Sequence, residues 1–395
     1  MTTLGFADPG ALDLCPQRVQ RMRAILQDEV ERRRVPGAVW LLARRGRIGV
    51  FDALGVQDPA TGQPMARDAI FRLYSMTKPI VSVAAMMLME QGRFLLCDPV
   101  ERYLPEFAGQ QVAVEHDGVV TLQPVQRPAT VQDLLRHTAG LTYEFSGASA
   151  VQRMYRERRL DRRVAGRDNA KAIGLLAAVP LMFQPGSVGD YSRATDVLGR
   201  LIEVWSGQPL AEFLRREVFE PLQMPDTGFH VPPAQQARIA EPFPVDPDGA
   251  PLTPMLDVRE PPALQSGGGG LVGTAMDYAR FLQMLLQRGV LDGVRLLGPR
   301  TVDYMTCDHL GSIPANPSLL EPGEGFGLGF AVRTQPGVTP VPGSVGTYYW
   351  SGMGGTSFFV DPARDLFAVM MVQGINQRSY YRQLFRNLVY ATLLD

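Results

Sequence analysis

The stretch Ile80-Val81-Ser82-Val83-Ala84-Ala85-Met86-Met87-Leu88-Met89 is apolar on nearly every side of the helix that it predicts. A helix of that kind is buried and rigid, so the rest of the chain must be packed around it. Ser75-Met76-Thr77-Lys78-Pro79 opens it. Residues three apart share a helical face, so Ser75 Oγ and Lys78 Nζ can meet. The first N–H groups of a helix have no internal partners and suit a developing negative charge. Pro79 falls in the first turn, where its missing N–H costs little.

In most chains, Ser-x-x-Lys means an N-cap serine and a solvated lysine. Composition changes the odds here. Of 39 basic residues only Lys78 and Lys171 are lysine, and 37 are arginine. With 14 serines among 395 residues, about 0.07 matches are expected by chance. A lysine in a chain that otherwise carries positive charge on arginine points to a group that must lose its proton, which arginine cannot do. Ser75 and Lys78 are therefore candidate catalytic residues.

The length of 395 residues fits one large domain or two lobes sharing a site. An apolar fraction of 45% and a charged fraction of 20% are those of an ordinary globular protein. A net charge of -1 makes no electrostatic case for nucleic acid or an anionic membrane. Cys15, Cys97 and Cys307 are odd in number and widely spaced, which fits no metal or disulfide framework and points to a reducing compartment. The start, Met1-Thr2-Thr3-Leu4-Gly5-Phe6, lacks the basic and apolar regions of a signal peptide, and no window approaches 18 apolar residues. The expectation is a cytoplasmic protein without a membrane span.

Taken in order, residues Pro16 to Arg34 have helical spacing, and Ala38–Ala43 with Ile48–Phe51 read as a hairpin around Arg44-Arg45-Gly46-Arg47. Ala69–Leu73 predicts a short strand leading into the Ser75 helix, and residues 109–128 a small hairpin. Thr130 looks like the N-cap of a helix running into His137-Thr138-Ala139-Gly140-Leu141. Residues 145–167 are charged with little periodicity and read as a cap over a site. Asn169–Val179 predicts a helix, as do Asp190-Tyr191-Ser192-Arg193 through Trp205, Pro209–Phe219 and Thr274–Leu286. After about Gly325, Phe326–Val332, Tyr348–Trp350, Thr356–Val360 and Leu366–Val372 read as strands, followed by a helix from Ser379 to Leu394. Strands at both ends with helices between them predict an α+β fold: one sheet built from both termini, with a mainly helical lobe inserted.

His137 reads as a base or as a histidine hydrogen-bonded to backbone at a helix end; the nearby glycine favours the structural role. For Tyr191, the default is an amphipathic residue at a domain surface. The alternative is a phenol brought against Ser75 and Lys78 to act as general base. Gly267–Gly270 lack the lysine and spacing of a phosphate loop and read as a place of close backbone approach beside a site.

Together, Ser75-x-x-Lys78, His137-Thr138-Ala139-Gly140-Leu141, Tyr191-Ser192-Arg193, the Ser266–Leu271 glycine run and Trp350-Ser351-Gly352 resemble the serine β-lactamase-like enzymes in identity and order. The match spans the chain from about residue 20 and looks closest to the family VIII carboxylesterases, relatives of class C β-lactamases and D,D-peptidases. The resemblance implies an antiparallel sheet lobe from residues 1–74 and 320–395, and a helical lobe from residues 75–319, with the active site between them. It makes Ser75 the nucleophile, with Lys78 and Tyr191 sharing proton transfer. It makes the Ser75 and Met353 N–H groups the oxyanion hole, Met353 following Trp350-Ser351-Gly352 on an edge strand.

Two departures separate the chain from class C lactamases. Arg193 stands where they carry asparagine, and Trp350-Ser351-Gly352 where they carry Lys-Thr-Gly. The tryptophan removes a cation that holds the lactam carboxylate and adds an apolar wall, which suits neutral, short-chain acyl esters. Family VIII esterases typically show a tryptophan-x-glycine there. The absence of Gly-x-Ser-x-Gly argues against an α/β-hydrolase. The expectation is a serine carboxylesterase acting on small-molecule esters, without metal or organic cofactor; a homo-oligomer stays open. The same machinery would serve a β-lactamase, an amide or D-amino peptide hydrolase or an acyltransferase, and a silent penicillin-binding-like module is the rival outside enzymes.

Overall fold

The computed structural model describes residues 4–160 and 164–395. Expectations touching residues 1–3 and 161–163, the chain start and part of the proposed cap, lie outside the described residues.

The main sheet draws on two distant parts of the sequence. Its early strands are β1 (Gly37–Arg44), β2 (Arg47–Asp58) and β3 (Gln63–Pro64). Its late strands are β4 (Glu324–Phe326), β5 (Ala331–Arg333), β6 (Tyr348–Ser351), β7 (Ser357–Asp361) and β8 (Leu366–Val372). The eight strands run in the order β4-β5-β6-β7-β8-β1-β2-β3, and the pairs are antiparallel. The register Ala38↔Val372 to Arg44↔Leu366 joins the two parts.

Strands β1 and β8 are buried along their whole length because both sheet faces are covered. Side chains alternate across a strand. Val39, Leu41, Phe367, Val369 and Met371 thus enter one core, and Trp40, Leu42, Ala368 and Met370 the other. Helices α1 (Pro16–Glu31) and α5 (Arg378–Thr392) close the second core with Met22, Leu26, Tyr381 and Phe385. The first core holds α2 (Thr77–Glu90), α3 (Ala194–Ser206) and α4 (Ala275–Leu286). All residues of α2 from Thr77 to Leu88 are buried. No helix among the described residues is long and apolar enough to cross a membrane.

Several local expectations need correction. Phe326–Val332 is two strands, because a bond from the Gly327 N–H to the Phe330 carbonyl at 2.8 Å closes a turn between them. Strand β5 pairs with β6 and β4 with β5, so β6 is interior to the sheet and not the edge strand that the resemblance implied. Only Tyr348 and Tyr349 pair with β5; Trp350 and Ser351 pair with β7 alone, leaving their other side open. The α2 helix begins at Thr77, and Ser75 lies in the 3-10 turn Tyr74–Met76 ahead of it. Tyr191 likewise precedes its helix, which starts at Ala194. The stretch read as aperiodic contains a helix at Ala150–Glu157, started by a capping box between Ser149 and Gln152. The helix after Pro209 widens into a π turn at Arg215–Phe219.

Candidate active site

The turn that carries Ser75 is held from four directions. The Leu73 N–H donates to the Leu271 carbonyl at 2.9 Å, and Thr356 Oγ1 donates to the Leu73 carbonyl at 3.2 Å. The Tyr278 hydroxyl donates to the Met76 carbonyl at 3.0 Å, and the Leu256 N–H to the Tyr74 hydroxyl at 3.0 Å. Tyr74 itself sits at φ +47°, an uncommon conformation for a bulky residue that persists only where its surroundings enforce it. This brings Ser75 to the surface of the first core, half-buried, while Lys78 beneath it is 1% exposed.

Lys78 Nζ lies 3.3 Å from Ser75 Oγ and donates to the Tyr191 hydroxyl at 2.8 Å, the Tyr143 hydroxyl at 2.9 Å and the Gly268 carbonyl at 2.6 Å. The Tyr191 hydroxyl donates to Ser75 Oγ. The structure thus brings Ser75, Lys78 and Tyr191 into one hydrogen-bonded group. Tyr143 escaped the sequence reading; its only signal is its place two residues after Gly140-Leu141. Burial, and then the charge of a deprotonated Tyr191, hold the Tyr143 phenol well above its ordinary range.

The glycine run acts through its backbone. A Cβ on Gly267 would come within 2.5 Å of the Thr195 carbonyl, so α3 and the run can touch only at glycine. Asp196, on α3, accepts from the Gly268 N–H at 3.0 Å and Ser266 Oγ at 2.6 Å. The carbonyl that receives Lys78 is fixed by these bonds.

Arg193 is held by carboxylates, with its guanidinium 5.3 Å from the centre of the Tyr143 ring. It makes two bonds to Glu144, at 2.9 and 2.7 Å, and one to Asp196 at 3.4 Å. Burial works against its charge, but Glu144 and Asp196 outweigh burial and raise its pKa. His137 contacts neither Ser75 nor Lys78 by hydrogen bond. Its Nδ1 lies 3.0 Å from Ser192 Oγ and its ring packs 5.3 Å from that of Tyr191. Burial, and then the charge of Lys78, hold it well below its usual value, so it is neutral.

The Trp350 ring lies 5.4 Å from Tyr191 and 5.3 Å from Phe326, forming an apolar wall behind the phenol. Ser351 ends β6, and Gly352 leads into the turn that carries Met353. A Cβ on Gly352 would collide with the Leu73 carbonyl, so this turn rides directly against the Ser75 segment. Among the described residues, neither the Ser75 nor the Met353 N–H donates to another backbone carbonyl. The lost lysine does not leave this segment without a cation: Arg382 Nη2 donates to the Gly352 carbonyl at 2.6 Å.

Comparisons with known proteins place the chain among relatives. Among curated relatives, an uncharacterised protein of Mycobacterium tuberculosis is 37% identical over 349 residues, covering 85% of both chains. Esterase EstB of Burkholderia gladioli is 35% identical over 395 residues, covering 93% of this chain and 94% of its own. Among solved structures, EstCE1, a hydrolase with promiscuous acyltransferase activity, superposes with a TM-score of 0.79 at 30% identity, covering 94% of this chain and 98% of its own. The Beta-lactamase family model matches residues 22–389, and the chain belongs to that family.

Proposed function

We propose that this chain is a serine carboxylic ester hydrolase of the family VIII type, acting on short-chain acyl esters through an acyl-enzyme on Ser75. The observation that carries the reading is the triangle of Ser75 Oγ, Tyr191 hydroxyl and Lys78 Nζ. An ammonium has three protons, and the three shortest contacts of Lys78 go to Tyr143, Tyr191 and Gly268. That leaves Tyr191 as the group that removes the Ser75 proton. The alternative phenol, Tyr143, is held protonated by burial.

Ser75 Oγ attacks the ester carbonyl as its proton passes to Tyr191 in its phenolate form, held there by the Lys78 ammonium. The oxyanion sits between the Ser75 and Met353 N–H groups, where one such donor is worth about 10²–10³ in rate. Tyr191 returns the proton to the departing alcohol. Water then attacks the acyl-enzyme, losing its proton to the same phenolate, which passes it to Ser75 Oγ as the carboxylic acid is released. The apolar wall of Trp350 and Phe326 favours uncharged substrates. The esterase relatives support ester over lactam or amide cleavage.

Intact-protein mass after brief exposure to p-nitrophenyl butyrate tests the reading, with Ser75→Ala alongside. The expected result is one added acyl group in the wild type only. Ester turnover retained by Ser75→Ala would overturn the assignment of the nucleophile.

A further inference from the structure

We propose that Arg382 is a positioning residue for the oxyanion hole, polarising the Gly352–Met353 peptide so that the Met353 N–H becomes a stronger donor. The inference rests on the role given above to Met353.

The carbonyl of Gly352 and the N–H of Met353 belong to one conjugated peptide group, so charge drawn toward the oxygen leaves the N–H more positive. Two donors draw on that oxygen: Arg382 Nη2 at 2.6 Å and the Gly355 N–H at 3.1 Å. The first is charge-assisted, the stronger class of bond. The charged and titratable groups that act on Arg382 are Arg378, Tyr191 and Tyr349, with no carboxylate among them. Its charge is therefore spent on the peptide and not neutralised by an acid. Burial pushes its pKa down only to about 10, so the charge persists at neutral pH. Arg382 Nε is buried without a partner, which leaves the Gly352 carbonyl as the bond that orients the guanidinium.

Both ends of this contact are fixed. Helix α5 is anchored by Tyr381, whose ring lies in the second core and whose hydroxyl donates to Glu29 at 2.8 Å. The Gly352 N–H donates to the Thr356 carbonyl at 2.8 Å, and Thr356 Oγ1 reaches the Leu73 carbonyl. The peptide is thus gripped between the strand end, the segment before Ser75 and the guanidinium.

The test compares wild type, Arg382→Gln and Arg382→Lys on p-nitrophenyl butyrate, with inhibition by phenylboronic acid as a mimic of the tetrahedral intermediate. For Arg382→Gln, kcat should fall about 10- to 30-fold with KM within about 2-fold, and boronate affinity should fall by a similar factor. Arg382→Lys, which keeps a charged donor, should recover most of both. The midpoint of the acidic limb of kcat/KM against pH should stay where it is in wild type, and the Met353 amide ¹⁵N resonance should move in Arg382→Gln. An unmoved Met353 resonance with unchanged kcat overturns the inference. A loss explained wholly by a shifted pH midpoint also overturns it, because the guanidinium would then act through Tyr191. Acylation of wild-type Ser75 is followed by mass in the same series. Its absence overturns the function proposed above, whereas acylation with unchanged kcat in Arg382→Gln overturns this inference alone.

Discussion

Lys78 Nζ and the Tyr143 hydroxyl lie 2.9 Å apart, both buried beneath Ser75, so the cation of the site is shared between two phenols. Tyr191 reaches Ser75 and Tyr143 does not. The two should separate cleanly on mutation. Tyr191→Phe should lower kcat by about 10³ or more, and Tyr143→Phe by about 10-fold, since the latter removes only one acceptor of Lys78. Steady-state kinetics with a p-nitrophenyl ester checks this. Equal losses would show that the base has been assigned to the wrong phenol.

Arg193 stands where class C lactamases carry asparagine, yet Arg193→Asn should not yield a lactamase. It would strand Glu144 and Asp196, both buried, without their cation. A loss of about 3–5 kcal/mol of stability is expected, read by urea unfolding, with no gain in nitrocefin turnover. A stable, lactam-hydrolysing variant would refute this account.

Two buried aspartates should give pH dependences of opposite sign. Burial raises the Asp133 pKa, but hydrogen bonds from Arg127, Thr130 and Thr138 outweigh it and bring the value to about 2. Its contribution is present above pH ~4 and is lost as pH falls toward 2. Asp277 is pushed up by burial to about 6. The folded state then holds its proton longer than the unfolded chain, so stability falls as pH rises from about 4 through 6. Asp277→Asn should flatten that second slope and gain about 2–3 kcal/mol at pH 7 relative to pH 4. Urea midpoints across pH 3–7 provide the check.

Gly352→Ala tests the fit between the two halves of the site. The added methyl would meet the Leu73 carbonyl, and backbone cannot yield as a flexible side chain can. The expected outcome is near-native circular dichroism with kcat reduced by about 10² or more. Wild-type kinetics in this variant would mean that the contact has no bearing on turnover.

Much of this architecture could be read from local pattern. Helices α1, α2 and α4 and the β1–β2 hairpin announce themselves because their signals lie within a few residues of one another. Ser75 and Lys78 were legible for the same reason. Tyr143 was not, because its partner is 65 positions away in sequence and no periodicity marks it. Arg382 is one of 37 arginines, and only the folded sheet reveals that it reaches Gly352. The glycine run was readable as a close approach, but the use of the Gly268 carbonyl depends on Asp196 from another helix. The hairpin at Glu324–Arg333 was missed because its turn is only four residues long and lies inside a stretch of strand-forming residues.

The pairing of Ala38 with Val372 has a consequence for biosynthesis. A ribosome releases β1 long before it has made the strand that β1 needs, so more than three hundred residues must emerge while that sheet edge waits unpaired. The segment bearing Met353 comes off long after Ser75. A nascent chain therefore holds Ser75, Lys78 and Tyr191 for a time without the Met353 N–H that is proposed to share the oxyanion with Ser75.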